Sequence, residues 1–149
     1  MTEENAMKVT DDIWGLMQKH LGYTDEEMKL FRADPKNEHI MGLSPALMNK
    51  TIVFEVVKSA GCNSRHQVGD KFYFDGAGNL ITKLSPKRIC IYALNFMAVP
   101  IFAMNELFYA GVDPNEMRFK RGSCFDVGVR CGGWGQIVVE MRVEDRKRD

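Results

Sequence analysis

The chain has 149 residues, 45% of them apolar and 27% charged, with 20 basic and 20 acidic side chains that cancel to a formal net charge of zero. That is a globular composition for roughly one domain, and it excludes an acidic disordered tail, because a chain this apolar offsets its ordering entropy by burial. Charge balance also excludes a non-specific nucleic-acid binder, which needs a basic surplus to displace counterions, so no nucleic-acid partner is expected.

Residues 1–50 read as a helical extension. Thr10 is placed to cap a first helix whose opening turn carries Asp11 and Asp12, matched to the positive end of the helix dipole. Ile13, Trp14, Met17 and Leu21 share one face, and Gly22 can stop the helix in a left-handed cap. Thr24 and Glu27 form a capping-box pattern for a second helix with Met28 and Phe31, ended by Asp34-Pro35, and Ser44-Pro45 signals a third start of a single turn. If the apolar faces of residues 10–32 are not satisfied within the chain, they form a docking surface for a second copy or an enzyme subunit.

From residue 51 the period changes. Ile52, Phe54 and Val56 face one way and Val53 and Val57 the other, which predicts an interior strand over 51–58. Residues 71–75 form a short aromatic strand, and Gly76-Ala77-Gly78-Asn79 turns the chain toward Leu80-Ile81-Thr82 as a hairpin. Ser85-Pro86 opens a long apolar helix expected to reach about Tyr109 and stop at Gly111, kinked or broken near Pro100. Residues 89–105 carry no charge, but the stretch barely reaches a bilayer's span and holds Asn95 and Pro100, so a buried central helix is predicted and no membrane partner.

Phe125, Val127, Val129 and Cys131 alternate with polar or small residues, as do Ile137, Val139, Met141 and Val143, predicting a terminal hairpin that turns at Gly132-Gly133-Trp134-Gly135. The expected fold is α+β: a small, mainly antiparallel sheet of four to five strands packed on one long central helix. The helical extension occupies 1–50, the α+β domain 51–143, and a charged, solvated tail 144–149.

Gly61-Cys62 after the first strand, the turn Val68-Gly69-Asp70 with Phe72, Pro86 with Cys90 on a helix, and Cys124-Phe125-Asp126 before a terminal strand form an ordered set of motifs. Over residues 52–143 the chain resembles in this a family of short cysteine-containing α+β proteins common in anaerobic bacteria and archaea. That family has no settled activity and usually carries a proline where this chain has Phe125. The resemblance implies a compact cytoplasmic module and a set of cysteines to weigh, and it implies no reaction.

Two constellations could carry chemistry. Cys62, His66, Cys90 and Cys124 supply the soft sulfur and nitrogen ligands that favour zinc or an iron–sulfur cluster, with Asp126 supporting them or acting as a base. No Cys-x-x-Cys pair is present, and the competing reading is of free cysteines serving as small apolar residues. On an unbulged strand Cys124 and Cys131 point to opposite faces and do not share a metal. The second constellation lies at the start of the long helix, where Lys87 and Arg88 precede amides able to receive a small anionic molecule. Arg65 and His66 could converge there, His66 as the adjustable donor; otherwise the cations are simply solvated.

No Gly-x-Ser-x-Gly elbow, dinucleotide loop or phosphate loop is present. Four cysteines without an export signal point to reduced thiols in a cytoplasm. The leading reading is a cytoplasmic accessory or binding module for a small anion, the alternative a thiolate- or metal-dependent protein, with catalysis left open.

Overall fold

Thr24 and Glu27 close a capping box: the Thr24 hydroxyl accepts the Glu27 N–H at 3.2 Å, and the Glu27 carboxylate accepts the Thr24 N–H at 2.8 Å. They open α2 (Asp25–Ala33), which follows α1 (Asp11–Leu21). Gly22 ends α1 in the left-handed region, as predicted, whereas Thr10 holds the N-cap position without a side-chain bond. The computed structural model describes residues 6–146. It is α+β, and the chain divides into two compact units, Met1–Leu47 and Met48–Asp149.

In the first unit Asp34 serves two helices. It ends α2, and its carboxylate accepts the Lys36 N–H at 2.9 Å to start α3 (Pro35–Met48), where Pro35 takes a first-turn position that needs no donor. The separate start expected at Ser44-Pro45 does not occur; both residues lie inside α3, with the Ser44 hydroxyl donating to the Ile40 carbonyl at 2.8 Å. Trp14, Met28 and Met41 are buried, and Ile13, Met17, Tyr23 and Phe31 pack on them. The apolar faces of residues 10–32 are therefore largely satisfied within their own unit, leaving Leu16, Leu21 and Leu30 exposed.

The second unit is a four-stranded antiparallel sheet of β1 (Lys50–Ala60), β2 (Lys71–Asp75), β3 (Arg121–Ser123) and β4 (Gln136–Asp145), ordered β2-β1-β4-β3. β1 is interior, as its two apolar faces predict. The register sets Ile52 between Phe74 and Val143, and Phe54 between Phe72 and Met141, so one sheet face is continuous apolar surface. Helix α4 (Ile91–Tyr109) buries Ala93, Met97, Pro100, Met104 and Phe108. A Cβ on Gly122 of β3 would run into the Phe96 ring, and one on Gly78 beyond β2 would meet Ile101, so α4 lies across the sheet from edge to edge. Met97, Met104 and Phe108 are fully buried, each worth about 1.5–3 kcal/mol.

Five expectations are corrected here. The long helix starts at Ile91, with Cys90 as N-cap, and not at Pro86. Ser85 is used elsewhere: its hydroxyl accepts the Tyr73 N–H at 3.0 Å, and the Leu84 and Ser85 N–H groups donate to the Ile81 carbonyl, tying 81–85 to β2 as a turn. Pro100 does not divide α4, because its ring lies in the buried stripe, whose burial outweighs the roughly 3 kcal/mol that an interior proline costs. The strand expected over 125–131 is irregular chain with a 3₁₀ turn at Val129–Cys131, so the argument that separated Cys124 from Cys131 by strand parity no longer applies. The expected strand at 80–82 shrinks to a single bridge between Leu80 and Phe74. Glu144 and Asp145, assigned to the tail, end β4, with Asp145 paired to Lys50 at 2.6 Å; residues 147–149 lie outside the described residues.

The far end of β1 meets the start of β4 through glycine alone. Gly135 is buried, and a Cβ there would sit 2.0 Å from the Gly61 carbonyl oxygen. We expect Gly135→Ala to lower unfolding stability by about 1–3 kcal/mol through overpacking against backbone. The same change at Gly15, a helix position with open space around it, should raise stability by about 0.5–1 kcal/mol. Urea unfolding of the two variants checks the contrast.

Candidate functional site

The loop between β1 and β2 folds back on its own strand: the Gly69 N–H donates to the Val56 carbonyl, and the Val56 N–H to the Asp70 carbonyl. This carries His66 inward. Its side chain is 2% exposed, its ring meets Phe72 edge-on at 4.9 Å, and Nδ1 stands 3.7 Å from the Asp70 carboxylate while Nε2 has no partner. Arg65, at a left-handed φ of 61°, remains exposed, as do Lys87 and Arg88. No hydrogen bond or ion pair among the described residues joins Arg65 or His66 to Lys87 or Arg88. His66 is thus withdrawn from the expected anion pocket, while Arg65, Lys87 and Arg88 stay exposed. The reason is that His66 is a core residue packed edge-on against Phe72; the two cations, for their part, precede α4 instead of opening it.

The expected metal set is not assembled. Among the described residues no three His, Cys, Asp or Glu side chains stand where they could hold a metal ion. Each cysteine is free and has a local place of its own. The Cys62 carbonyl closes a turn with the Arg65 N–H, and Cys90 caps α4. Cys124 receives the Ile137 N–H on sulfur at 3.5 Å, and Cys131 is exposed in the 3₁₀ turn.

Asp126 has a role that its alternating neighbours concealed. Its carboxylate accepts the backbone N–H groups of Gly128, Trp134 and Gly135, each at 2.9 Å, and so gathers the loop from Asp126 to Gly135 into one fixed turn. Those three bonds hold its pKa below the ordinary 3.8, which keeps it ionised and makes it a poor base. Asp126 is an architectural anion. The sequence signal was available in Asp126-x-Gly128, the spacing of an Asx turn. The loop it fixes presents Phe125, Val129 and Trp134 to solvent, with the Phe125 ring 6.1 Å from that of Tyr92 at the start of α4.

A groove of about 430 Å³ lies between one flank of α4 and the turn after β2, lined by Phe74, Leu80, Leu94, Met97, Ile101 and Asn105, among others. The turn is shaped by Asp75, whose carboxylate accepts the Ala77 and Asn79 N–H groups at 3.0 and 2.9 Å. Gly78, at φ 88°, brings the turn to within van der Waals reach of Ile101. The walls are aliphatic and aromatic, and the polar exception is Asn105, whose Oδ1 is buried without a hydrogen-bond partner. A buried acceptor left unpaired costs about 1–3 kcal/mol. A second cleft, in the first unit, runs past Lys8, Trp14 and Arg32, but Arg32 is already spent on Asp11 at 3.0 Å and on the Trp14 ring.

No family model matches this chain, and neither does any curated protein or solved structure.

Burial disfavours the charged form of His66 and outweighs the attraction of Asp70, so its pKa lies below the ordinary 6.5. The unfolded chain therefore takes up that proton first. The stability contributed by neutral His66 is complete above about pH 6.5 and is lost as pH falls through the lowered folded value. Asp126 has the same sign further down: its contribution is complete above 3.8 and disappears as pH falls through its own depressed value. We expect a urea midpoint that declines on acidification from pH 6.5, and a His66→Leu variant in which the first part of that decline is flattened while the later acid loss remains.

Proposed function

We propose that this chain is an accessory binding module of a reducing, cytoplasmic compartment. Its ligand is a small, mainly apolar molecule with one hydrogen-bond donor, taken up between α4 and the turn after β2. The observation that carries this reading is the unpaired Asn105 Oδ1. An apolar groove of ligand-sized volume needs few polar groups, and the ones it has set orientation and specificity. Phe74, Leu80 and Ile101 supply the apolar contact, and Asn105, whose Oδ1 is closed off from solvent in the free chain, turns toward the groove to accept the donor. The reading supersedes the small anion expected at Lys87 and Arg88, because the groove contains neither a cation nor a helix start.

Indole and 1-methylindole separate the two parts of the proposal, since they differ little in shape and the second has no N–H. Binding followed by shifts of the Leu94, Ile101 and Asn105 amide resonances should favour indole by about tenfold, the worth of one hydrogen bond to an otherwise unpaired acceptor. In Asn105→Leu the preference should vanish. The free variant should melt higher than the wild type, because the orphaned acceptor is gone and leucine is the better helix former. Equal binding of both probes to the wild type, or a lower melting temperature for Asn105→Leu, would overturn the reading.

A further inference from the structure

By length and composition α4 could cross a membrane, with mean hydropathy 1.4 over its apolar window, yet only 28% of that window is buried. It is held along one stripe by the sheet through Met97, Met104 and Phe108, all fully buried, so it is not free to leave. The opposite stripe is bare: Tyr92 is 58% exposed, Val99 70% and Phe102 68%. Tyr92, Asn95, Val99, Phe102 and Glu106 follow one another at spacings of three and four residues, the seam of a helix that packs against another helix.

We infer that this stripe is the interface between two copies of the chain, α4 lying antiparallel to α4 about a two-fold axis at Val99. The stripe is self-complementary in this arrangement. Val99 meets Val99, Phe102 packs beside Asn95, and Tyr92 of one copy faces Glu106 of the other. Charge supports the same occupant. Glu106 is the lone charged side chain of α4, exposed and without an ion pair among the described residues, at an end that has no basic residue in its last turn. Lys87 and Arg88, likewise exposed and unpaired, precede the other end, whose first turn has no acidic residue although it is the positive pole of the dipole. An antiparallel pair brings each Glu106 beside the other copy's Tyr92, in the first turn of the helix that follows those cations. A chain of zero net charge opposes this with no long-range repulsion.

The test is sedimentation equilibrium of the full chain from 1 to 200 µM. The wild type should be a dimer. Val99→Glu, which sets two carboxylates face to face on the axis, should be monomeric with unchanged circular dichroism. Glu106→Lys should weaken the dimer at least tenfold, and adding Lys87→Glu and Arg88→Glu to it should restore affinity. A wild type that is monomeric throughout overturns the inference, as does a dimer indifferent to Val99→Glu or a charge reversal that is not rescued. Monomeric wild type that co-sediments with phosphatidylglycerol vesicles would assign the stripe to a membrane surface instead. Asn105→Leu leaves this stripe untouched, so failure of the dimer and failure of the ligand groove read out separately.

Discussion

The governing constraint in the second unit is a mismatch of areas. Helix α4 has 19 residues and is apolar on all sides, but the sheet beneath it has two long strands, β1 of 11 residues and β4 of 10, flanked by β2 of five and β3 of three. A helix that is apolar all round is ordinarily covered all round. Here the sheet covers one stripe and runs out. Beyond β2 the flank of α4 is walled by the turn through Gly78, and the space between them is the groove. On the side away from the sheet no described residue covers Val99, and Phe102, at the rim of the groove, is also largely exposed. The groove and the bare stripe are thus two consequences of one surplus of apolar helix over narrow sheet.

Much of this was legible because the deciding interactions are local. The capping box at Thr24 and Glu27, the glycine stop at Gly22, and the interior position of β1 each depend on residues within one turn or one strand. Where reading failed, a distant partner had claimed a residue. Ser85 carries a helix-start signal, but the Tyr73 amide uses its hydroxyl, and the helix is displaced to Ile91. Pro100 carries a helix-breaking signal and Pro45 a helix-start signal, and both lie in the interior of a helix. At Pro100 the ring fills a buried stripe, a tertiary term that no propensity contains.

The segment from Phe125 to Cys131 teaches a sharper version of the same lesson. Its alternation is as regular as that of β4, yet Phe125, Val127 and Val129 are all exposed. Period alone cannot separate a strand from a loop in which one carboxylate collects three amides. Asp126 does so here, with glycines at 128, 133 and 135 allowing the backbone to close around it. The sulfur residues deceived in the opposite direction. Cys62, Cys90 and Cys124 stand at a turn, a cap and a strand end, and the backbone bonding at each place needs no shared ion.

Asn105 and the pair Lys87-Arg88 stand apart because local physics argues against them. An aliphatic residue at 105 would fill the groove, help the helix and leave no orphaned acceptor. Cations ahead of a helix start oppose its dipole, and they do so at an end that carries no acid of its own. Where a sequence agrees with its fold at nearly every level, isolated disagreements tend to fall at sites under another demand. Both lie along α4, one on the flank facing the groove and the other just ahead of the bare stripe. Each would be relieved by the kind of group its surroundings lack: a donor for the amide, a carboxylate for the cations. The disagreements therefore point outward, toward things this helix meets from beyond its own chain.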